Sequence, residues 1–207
     1  MTIINIVALL ALSCNGDASQ VYEEIYTQAY QSCFAGLTEE AILERDKVLK
    51  DLIKVEKAFF RSHPNLPQDL RGMLIAAGCR ESRFNPKARG DWRTTARGKR
   101  VPRAIGVVQL WPWWEDFYGV NRHDPVASAQ VWLKHIAHQY KKNERLKRCP
   151  AYFSQTKKWV AAWVQTTRGG KVDKTNRYRC FQAPTHYKLL KKWKRKIEAS
   201  QDLECGC

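Results

Sequence analysis

The sequence predicts a mainly α-helical protein, and three observations favour this fold class. Apolar residues recur at intervals of three and four along most of the chain, which is the period of a helix that buries one face. Strand-like alternation of apolar and polar residues is scarce. Several helical segments begin at residues that cap helix N-termini well. The 207 residues suffice for one substantial core, and no internal repeat, low-complexity block or Gly/Ser linker divides the chain.

Residues 1–18 are predicted to be a signal peptide. Residues 3–12 form an apolar run that is too short to span a bilayer, whereas the apolar core of a secretory signal needs only about 7–15 residues. No Lys or Arg precedes the run, and the start of a buried helix or strand is the alternative interpretation. A lipid anchor at Cys14 is not expected, because A-L-S-C is a poor lipobox. We therefore expect an exported protein, either periplasmic or extracellular.

Residues 19–66 are predicted to be a helical lead-in that packs on the core. The spacing of apolar residues predicts a first helix over residues 21–34, and Gly36 is a typical stop. A second helix is predicted from Thr38, a good N-cap followed by two glutamates that suit the positive end of the helix dipole. The turn S-H-P-N-L-P at residues 62–67 ends it.

The next helix carries the most informative residue of the chain. Leu70, Met73, Leu74 and Ala77 keep the spacing of a buried helix face, and Glu81 extends the same stripe by four residues. The following N-P sequence ends the helix, because the residue before a proline is disfavoured in helical conformation. Desolvation of a carboxyl group favours its protonated form, and a general acid near neutral pH needs this property. The pattern therefore indicates a general acid at the end of a buried helix.

Residues 67–207 are predicted to form one domain that ends in a basic helix. Residues 87–103 are predicted to be a basic loop with seven Lys or Arg residues. A further helix is predicted from Asp124, an N-cap with proline at the first helical position. Two more helices are predicted around residues 157–165 and 186–199.

The charge of the chain is strongly positive and unevenly distributed. Lys and Arg number 36 against 20 Asp and Glu, a net charge of +16. Residues 1–66 hold six basic and nine acidic residues, so that the remainder carries +19. Such a surface attracts polyanions, and charge alone leaves nucleic acid, an anionic membrane surface and an anionic cell-wall polymer as candidates.

The cysteines predict disulfides rather than a metal site. Seven occur, and six remain if Cys14 leaves with the signal peptide, an even number that suits an oxidising compartment and leaves the pairing open. Zinc is the alternative, but Cys205 and Cys207 are the only close pair and no spaced Cys/His motif accompanies them. No metal and no cofactor is expected. Surface or capping roles are predicted for four histidines, which are His123, His135, His138 and His186.

The order of the motifs resembles that of the soluble lytic transglycosylase catalytic domain, which shares the lysozyme-like fold of goose-type lysozymes. The phrase E-S-R-F-N-P at residues 81–86 is followed by A-I-G-V-V-Q-L at 104–110, by the helix that begins D-P at 124–125, and by A-A-W at 161–163. The resemblance covers about residues 67–197. It implies a mainly α, lysozyme-like fold.

The resemblance also implies roles for individual residues. It makes Glu81 the catalytic acid/base and Ser82 its companion in the Glu-Ser motif. In the second motif, Gly106 would let the backbone pass close to the cleft and Gln109 would contact the sugar. Trp163 stands where the family has a tyrosine, and would line the cleft near the acid and stack on a sugar face.

As the resemblance implies, the protein would cleave the β-1,4 bond between N-acetylmuramic acid and N-acetylglucosamine in peptidoglycan. Glu81 would protonate the bridging oxygen and then accept the proton of the muramoyl 6-hydroxyl, which leaves a 1,6-anhydromuramoyl product. The expected partners are peptidoglycan glycan strands, with an anionic wall polymer or membrane surface as a further candidate. No specific nucleic acid is expected, and a monomer is expected.

Two alternatives stay open at this point. The first is a hydrolytic muramidase on the same fold, and the second is a non-catalytic cationic protein that binds wall polymer, membrane or nucleic acid. Most glycosidases place a second carboxylate about 5 to 9.5 Å from the acid, and the candidates for one are Asp91, Glu115 and Asp116.

The sequence departs from the family pattern at several positions. Arg103 replaces the glycine before the second motif, Val164 replaces the asparagine after the family's tyrosine, and Gly90 takes the place of a small residue that is often serine. The loop at residues 87–103 is longer and more basic than is typical. Trp92 and the W-P-W-W segment at 111–114 are candidates for the cleft wall, because sugar binding uses aromatic faces. These departures concern substrate contacts more than reaction class.

Overall fold

The structure, a computed structural model, describes residues 18–142, 156, 158–160, 162–163 and 185–205. It confirms a mainly α-helical protein and shows, in addition, one small sheet that was not predicted. The elements, in chain order, are α1 (Ala18–Cys33), α2 (Glu39–Ser62), a 3₁₀ turn (Gln68–Leu70), α3 (Met73–Ser82), β1 (Arg89–Thr94), β2 (Arg100–Ile105), α4 (Trp113–Tyr118), α5 (Pro125–Lys142) and α6 (Thr185–Cys205). Residues 156, 158–160 and 162–163 are also helical, where a helix was predicted.

Some of the predictions fall on parts of the chain outside the described residues. They are the signal peptide up to residue 17 and the cysteines Cys14, Cys149, Cys180 and Cys207. None of the described helices is long and apolar enough to cross a lipid bilayer.

The predicted caps begin two of the long helices. The Thr38 hydroxyl accepts the Ala41 N–H at 3.4 Å at the start of α2. One carboxylate oxygen of Asp124 accepts the N–H groups of Val126 and Ala127 at 2.9 and 3.0 Å at the start of α5. Each cap satisfies backbone donors that have no partner inside the helix. The two predicted helix starts are confirmed.

Helix α3 runs through the middle of the core. All residues from Met73 to Cys79 are buried, and α1, α2 and α6 pack around them. Gly72 lies just before the helix with a φ of +94°, and a Cβ there would meet side-chain carbons of Ile25 at 2.7 Å and Leu190 at 2.8 Å. Because both the dihedral angle and the space exclude a side chain, glycine lets α3 enter the core between α1 and α6.

A disulfide between Cys33 and Cys79 joins the end of α1 to α3. The sequence predicted disulfides and left the pairing open, so the partners are a finding of the structure. The bridge closes a loop with a sequence separation of 46 residues, and the chain-entropy relation gives such a bridge about 4 kcal/mol of stabilisation. It holds the lead-in helices against the helix that carries Glu81.

The prediction of a loop over residues 87–103 is wrong, because β1 and β2 form an antiparallel hairpin there. The turn closes through a hydrogen bond from Thr95 N–H to the Lys99 carbonyl at 2.9 Å, with Gly98 at a φ of +73°. Five of the six residues of β1 are exposed and most residues of β2 are partly buried, so neither strand has the alternation that marks a half-buried strand. The short helix α4 was not predicted either.

Candidate functional site

Glu81 lies in the last turn of α3, at the edge of the core. The helix stops at once, because Arg83 and Phe84 both adopt positive φ, at 53° and 61°. The buried stripe ends before Glu81, whose side chain is 35% exposed. The sequence placed this residue on the buried face, whereas the structure leaves its carboxyl group open to a ligand.

The strongest contact of Glu81 comes from the other end of the chain. His186 is the second residue of α6, and its Nε2 lies 2.6 Å from Glu81 Oε1. Its side chain is only 2% exposed, and its Nδ1 has no hydrogen-bond partner in the described part of the protein. The prediction of a surface or capping role for this histidine is wrong. Nothing in the sequence pairs two residues that are 105 positions apart.

Surface or capping roles were also predicted for His123, His135 and His138, and the structure divides these three between surface and interior. His123 and His138 are exposed, as predicted. His135 is partly buried, and its Nδ1 lies 2.6 Å from the Tyr118 hydroxyl. Desolvation, together with the charge of His138, lowers the pKa of His135 to about 4. This histidine therefore stays neutral at physiological pH and packs among aromatic rings of α4.

Two tryptophans pack in series next to His186. The ring of Trp132 lies edge-on to His186, with 6.1 Å between ring centres, and edge-on to Trp163, with 4.7 Å. Trp163 is 5% exposed, and Ala161 before it lies outside the described residues. The structure thus connects Trp163 to Glu81 through two intervening rings. A sugar-stacking role for Trp163 stays a prediction.

Ser82 connects the first motif to the second. Its hydroxyl lies 3.1 Å from the Gly78 carbonyl oxygen and 2.9 Å from that of Val107. The first contact is within α3, and the second reaches the A-I-G-V-V-Q-L segment. The Ser82 hydroxyl therefore donates its proton within the protein, and its contact with Val107 holds the second motif beside the end of α3.

The second motif needs small residues because the backbone passes close to its neighbours. Gly106 has a φ of +82°, and a Cβ there would lie 2.1 Å from the Arg122 carbonyl oxygen. Gln109 folds back so that its side-chain N–H donates to the Gly106 carbonyl at 2.8 Å. A Cβ on Gly90 would lie 2.3 Å from the Gln109 side-chain oxygen. These close approaches place β1 against the second motif, which Ser82 joins to the end of α3.

Arg122 holds this arrangement, and the sequence analysis missed it. The side chain is buried, and its Nη1 donates to the carbonyl oxygens of Arg103 at 3.0 Å and Leu110 at 3.1 Å. Its Nη2 lies 2.9 Å from a Glu115 oxygen, and this hydrogen bond lowers the pKa of Glu115. A buried arginine that donates to two backbone carbonyls cannot be distinguished, from the sequence alone, from the many other arginines of this chain.

None of the three candidates for a second carboxylate contacts Glu81 in the described part of the chain. Glu115 is paired with Arg122, and Asp91 accepts the indole N–H of Trp111 at 2.9 Å. Asp116 is exposed on α4. Two of the three carboxylates therefore have structural partners of their own.

Glu56 is the second residue that the sequence analysis missed. It lies on α2, is fully buried, and its two oxygens accept the N–H groups of Gly72 and Leu74 at 2.8 Å each. These donors belong to the start of α3, where backbone N–H groups have no partner inside the helix. Desolvation raises the pKa of Glu56 to about 7, although the hydrogen bonds from Leu74 and Gly72 oppose the shift. A carboxylate thus anchors the N-terminus of the helix whose other end carries Glu81.

The described residues include no group of three or more His, Cys, Asp or Glu side chains that could hold a metal ion. The site offers a partly exposed carboxyl group that shares a hydrogen bond with a buried imidazole, and such a pair can exchange a proton with a ligand. Comparisons with protein-family models, curated proteins and solved structures find no match for this chain.

Proposed function

We propose that this protein is an exported lytic transglycosylase of lysozyme-like fold that cleaves the bond between N-acetylmuramic acid and N-acetylglucosamine in peptidoglycan. One observation carries the proposal, which is the position of Glu81. Its carboxyl group lies at the open end of a buried helix, bonded to His186 and joined through Ser82 to the Gly106–Gln109 segment. The resemblance of these motifs, in their order along the chain, to lytic transglycosylases supports the same conclusion.

In the proposed reaction, Glu81 first acts as an acid. It donates its proton to the bridging oxygen as the bond from that oxygen to the muramoyl C1 breaks. The acetamido group of the substrate stabilises the positive charge that develops at C1. Glu81, now a carboxylate, then takes the proton of the muramoyl 6-hydroxyl while that oxygen bonds to C1. The products are a free 4-hydroxyl on one sugar and a 1,6-anhydro ring on the other.

His186 is a positioning residue in this scheme. It contacts Oε1 of Glu81, and the second carboxyl oxygen, which has no hydrogen bond to the described residues, would face the substrate. Because the imidazole is buried beside Trp132, its ring has little freedom to move. After the first step, an N–H on Nε2 donates to the new carboxylate and stabilises it until the second proton transfer.

The structural partners of two of the three candidate carboxylates support a mechanism with one acidic side chain. Retaining and inverting glycosidases use a second carboxylate as nucleophile or base. Here Glu115 is held by Arg122 and Asp91 by Trp111. Groups of the substrate itself can take over the second role.

The reaction class is tested by digestion of purified peptidoglycan with the mature protein, followed by mass analysis of the soluble products. We expect muropeptides that end in anhydromuramic acid. Products heavier by one water would instead indicate a hydrolytic muramidase. Binding to peptidoglycan in the absence of soluble products would overturn the proposal in favour of a cationic binding protein.

Replacing His186 with alanine is expected to lower kcat by about a hundredfold, with KM changed by less than about threefold, because the catalytic carboxyl group loses its orienting partner. Glutamine at this position carries an N–H donor and is expected to restore part of kcat. Initial rates on soluble glycan strands measure both effects, and thermal unfolding checks that the variants fold. The matched control is His123→Ala, at an exposed histidine. Unchanged kcat in a folded His186→Ala variant would remove the histidine from the mechanism.

A further inference from the structure

A trough runs between the hairpin and the segment 111–113 that follows the second motif. It consists of two cavities of about 520 Å³ each, which share Arg93, Arg103 and Trp111 in their walls. We call it the hairpin trough and define it by these three residues together with Asp91 and Trp92. Neither the motif resemblance nor the proposed chemistry at Glu81 uses it.

The hairpin trough is lined by cations that have no carboxylate partner among the described residues. Arg93 is exposed, and Arg103 stacks on Trp111 with 4.2 Å between the guanidinium carbon and the ring centre. Neither guanidinium makes an ion pair within the described ranges. A guanidinium held over an indole ring has less freedom to move, and its N–H groups can donate two parallel hydrogen bonds to a carboxylate.

We propose that the hairpin trough binds the peptide stem of peptidoglycan, so that the protein prefers peptide-bearing glycan over bare glycan. This inference rests on the proposed function. Each stem branches from a muramic acid residue, carries free carboxylates, and in many walls carries the amine of a diamino acid. The two arginines suit the carboxylates. The Asp91 carboxylate, fixed by the Trp111 indole N–H at 2.9 Å, suits the amine.

The position of the trough relative to Glu81 fits this ligand. The base of the hairpin lies at the catalytic end of α3, because Gly90 contacts Gln109 and Ser82 bonds to Val107. Arg93 is three residues along β1 from Gly90, a distance of about 10 Å at the rise of a strand. A peptide stem that leaves the muramoyl ring toward the hairpin would therefore reach the trough.

The same residues fit a continuous polyanion less well. Single-stranded nucleic acid binds on exposed aromatic faces along a uniformly basic groove. One face of Trp111 is covered by Arg103, and the Asp91 carboxylate repels a phosphate backbone. Trp92 is 48% exposed, and the Arg100 guanidinium carbon lies 5.6 Å from the centre of its ring. A peptide with separate negative and positive groups matches this pattern of charges.

The test uses a Glu81→Gln background, which prevents turnover, and isothermal titration with two soluble probes. One is the disaccharide N-acetylglucosaminyl-N-acetylmuramic acid with a tetrapeptide stem, and the other is the same disaccharide without the stem. We expect the stem to tighten binding by about tenfold, the effect of about two charged contacts. Adding Arg93→Ala and Arg103→Ala is expected to reduce the ratio of the two dissociation constants, without and with the stem, to below about threefold. The affinity for the bare disaccharide should stay unchanged.

Two comparisons keep the test selective. Arg97→Ala with Lys99→Ala removes the same charge from the turn of the same hairpin, outside the trough, and is expected to keep the full ratio. Arg93→Glu changes a single exposed residue, so it provides a second test if the double variant does not fold. It should also abolish the preference for the probe with the stem.

Equal binding of the two probes, or a preference that survives the loss of both trough arginines, would overturn the inference. Tighter binding of a thymidine oligonucleotide through the same two arginines would overturn it as well. In each case the release of anhydromuropeptides by the parent protein would stand, so the proposed function is judged separately.

Discussion

Replacement of Glu81 with glutamine is expected to lower the rate of peptidoglycan cleavage by about a thousandfold or more. The amide keeps the size of the side chain and can still contact His186, but it cannot donate a proton to the bridging oxygen. General acid–base catalysis contributes about 10²–10⁴-fold, and here a single group would serve both steps. The measurement is the initial rate at which soluble muropeptides appear from purified sacculi. The thermal midpoint should stay close to that of the parent, because the side chain is 35% exposed.

The matched control for this prediction is Asp116→Asn. Asp116 is exposed on α4 and was a candidate for a second carboxylate. We expect the rate to stay within about twofold of the parent, as for a surface substitution away from the site. Cleavage by Glu81→Gln at the parental rate would end the proposed function. A large loss in Asp116→Asn would instead indicate a mechanism with two carboxylates.

Replacement of Glu56 with alanine is expected to lower the free energy of unfolding by about 3–5 kcal/mol. The substitution leaves the N–H groups of Gly72 and Leu74 without an acceptor in the core and opens a cavity beside them. Urea denaturation at neutral pH measures the change. The control is Glu23→Ala, at an exposed position of α1, for which we expect less than about 0.5 kcal/mol. Equal urea midpoints for Glu56→Ala and the parent would show that these hydrogen bonds do not anchor α3.

The same carboxyl group should make stability depend on pH. Its pKa of about 7 in the folded protein exceeds the ordinary value of 4.5, mainly because burial disfavours the charged form. A raised pKa means that the folded state binds the proton more tightly than the unfolded state. The stabilisation that results from this difference is complete below about pH 4.5 and is lost as pH rises through about 7. The positive charge of Lys194 lowers the pKa of Glu56 and so acts against the effect of burial.

The pH effect is isolated by comparison with Glu56→Gln. The difference in unfolding free energy between parent and variant should fall by roughly 3 kcal/mol between about pH 4 and pH 8. A difference that stays constant over this range would show that Glu56 keeps its ordinary pKa in the folded protein.

Much of the helical structure could be predicted because local physics determines it. The caps at Thr38 and Asp124 act on N–H groups two or three residues away, and the stripe from Leu70 to Ala77 is a matter of spacing within one helix. The hairpin escaped prediction because β1 is exposed along nearly its whole length and β2 is partly buried at most positions, so that neither strand carries an alternating pattern. Cross-strand pairing, not local pattern, stabilises it.

The sequence by itself determined that Glu81 stands at the end of a buried helix, and it contains the Ser82, Gly106 and Gln109 motifs on which the resemblance to lytic transglycosylases rests. Only the tertiary structure decided which groups surround the carboxyl group. His186 reaches it across 105 residues, and Glu56 and Arg122 support it through backbone atoms. Contacts between distant residues depend on how whole helices pack. A contact to a backbone atom does not require any particular amino acid as the partner, so the sequence does not mark it. For both reasons, the surroundings of the site could be seen only in the folded protein.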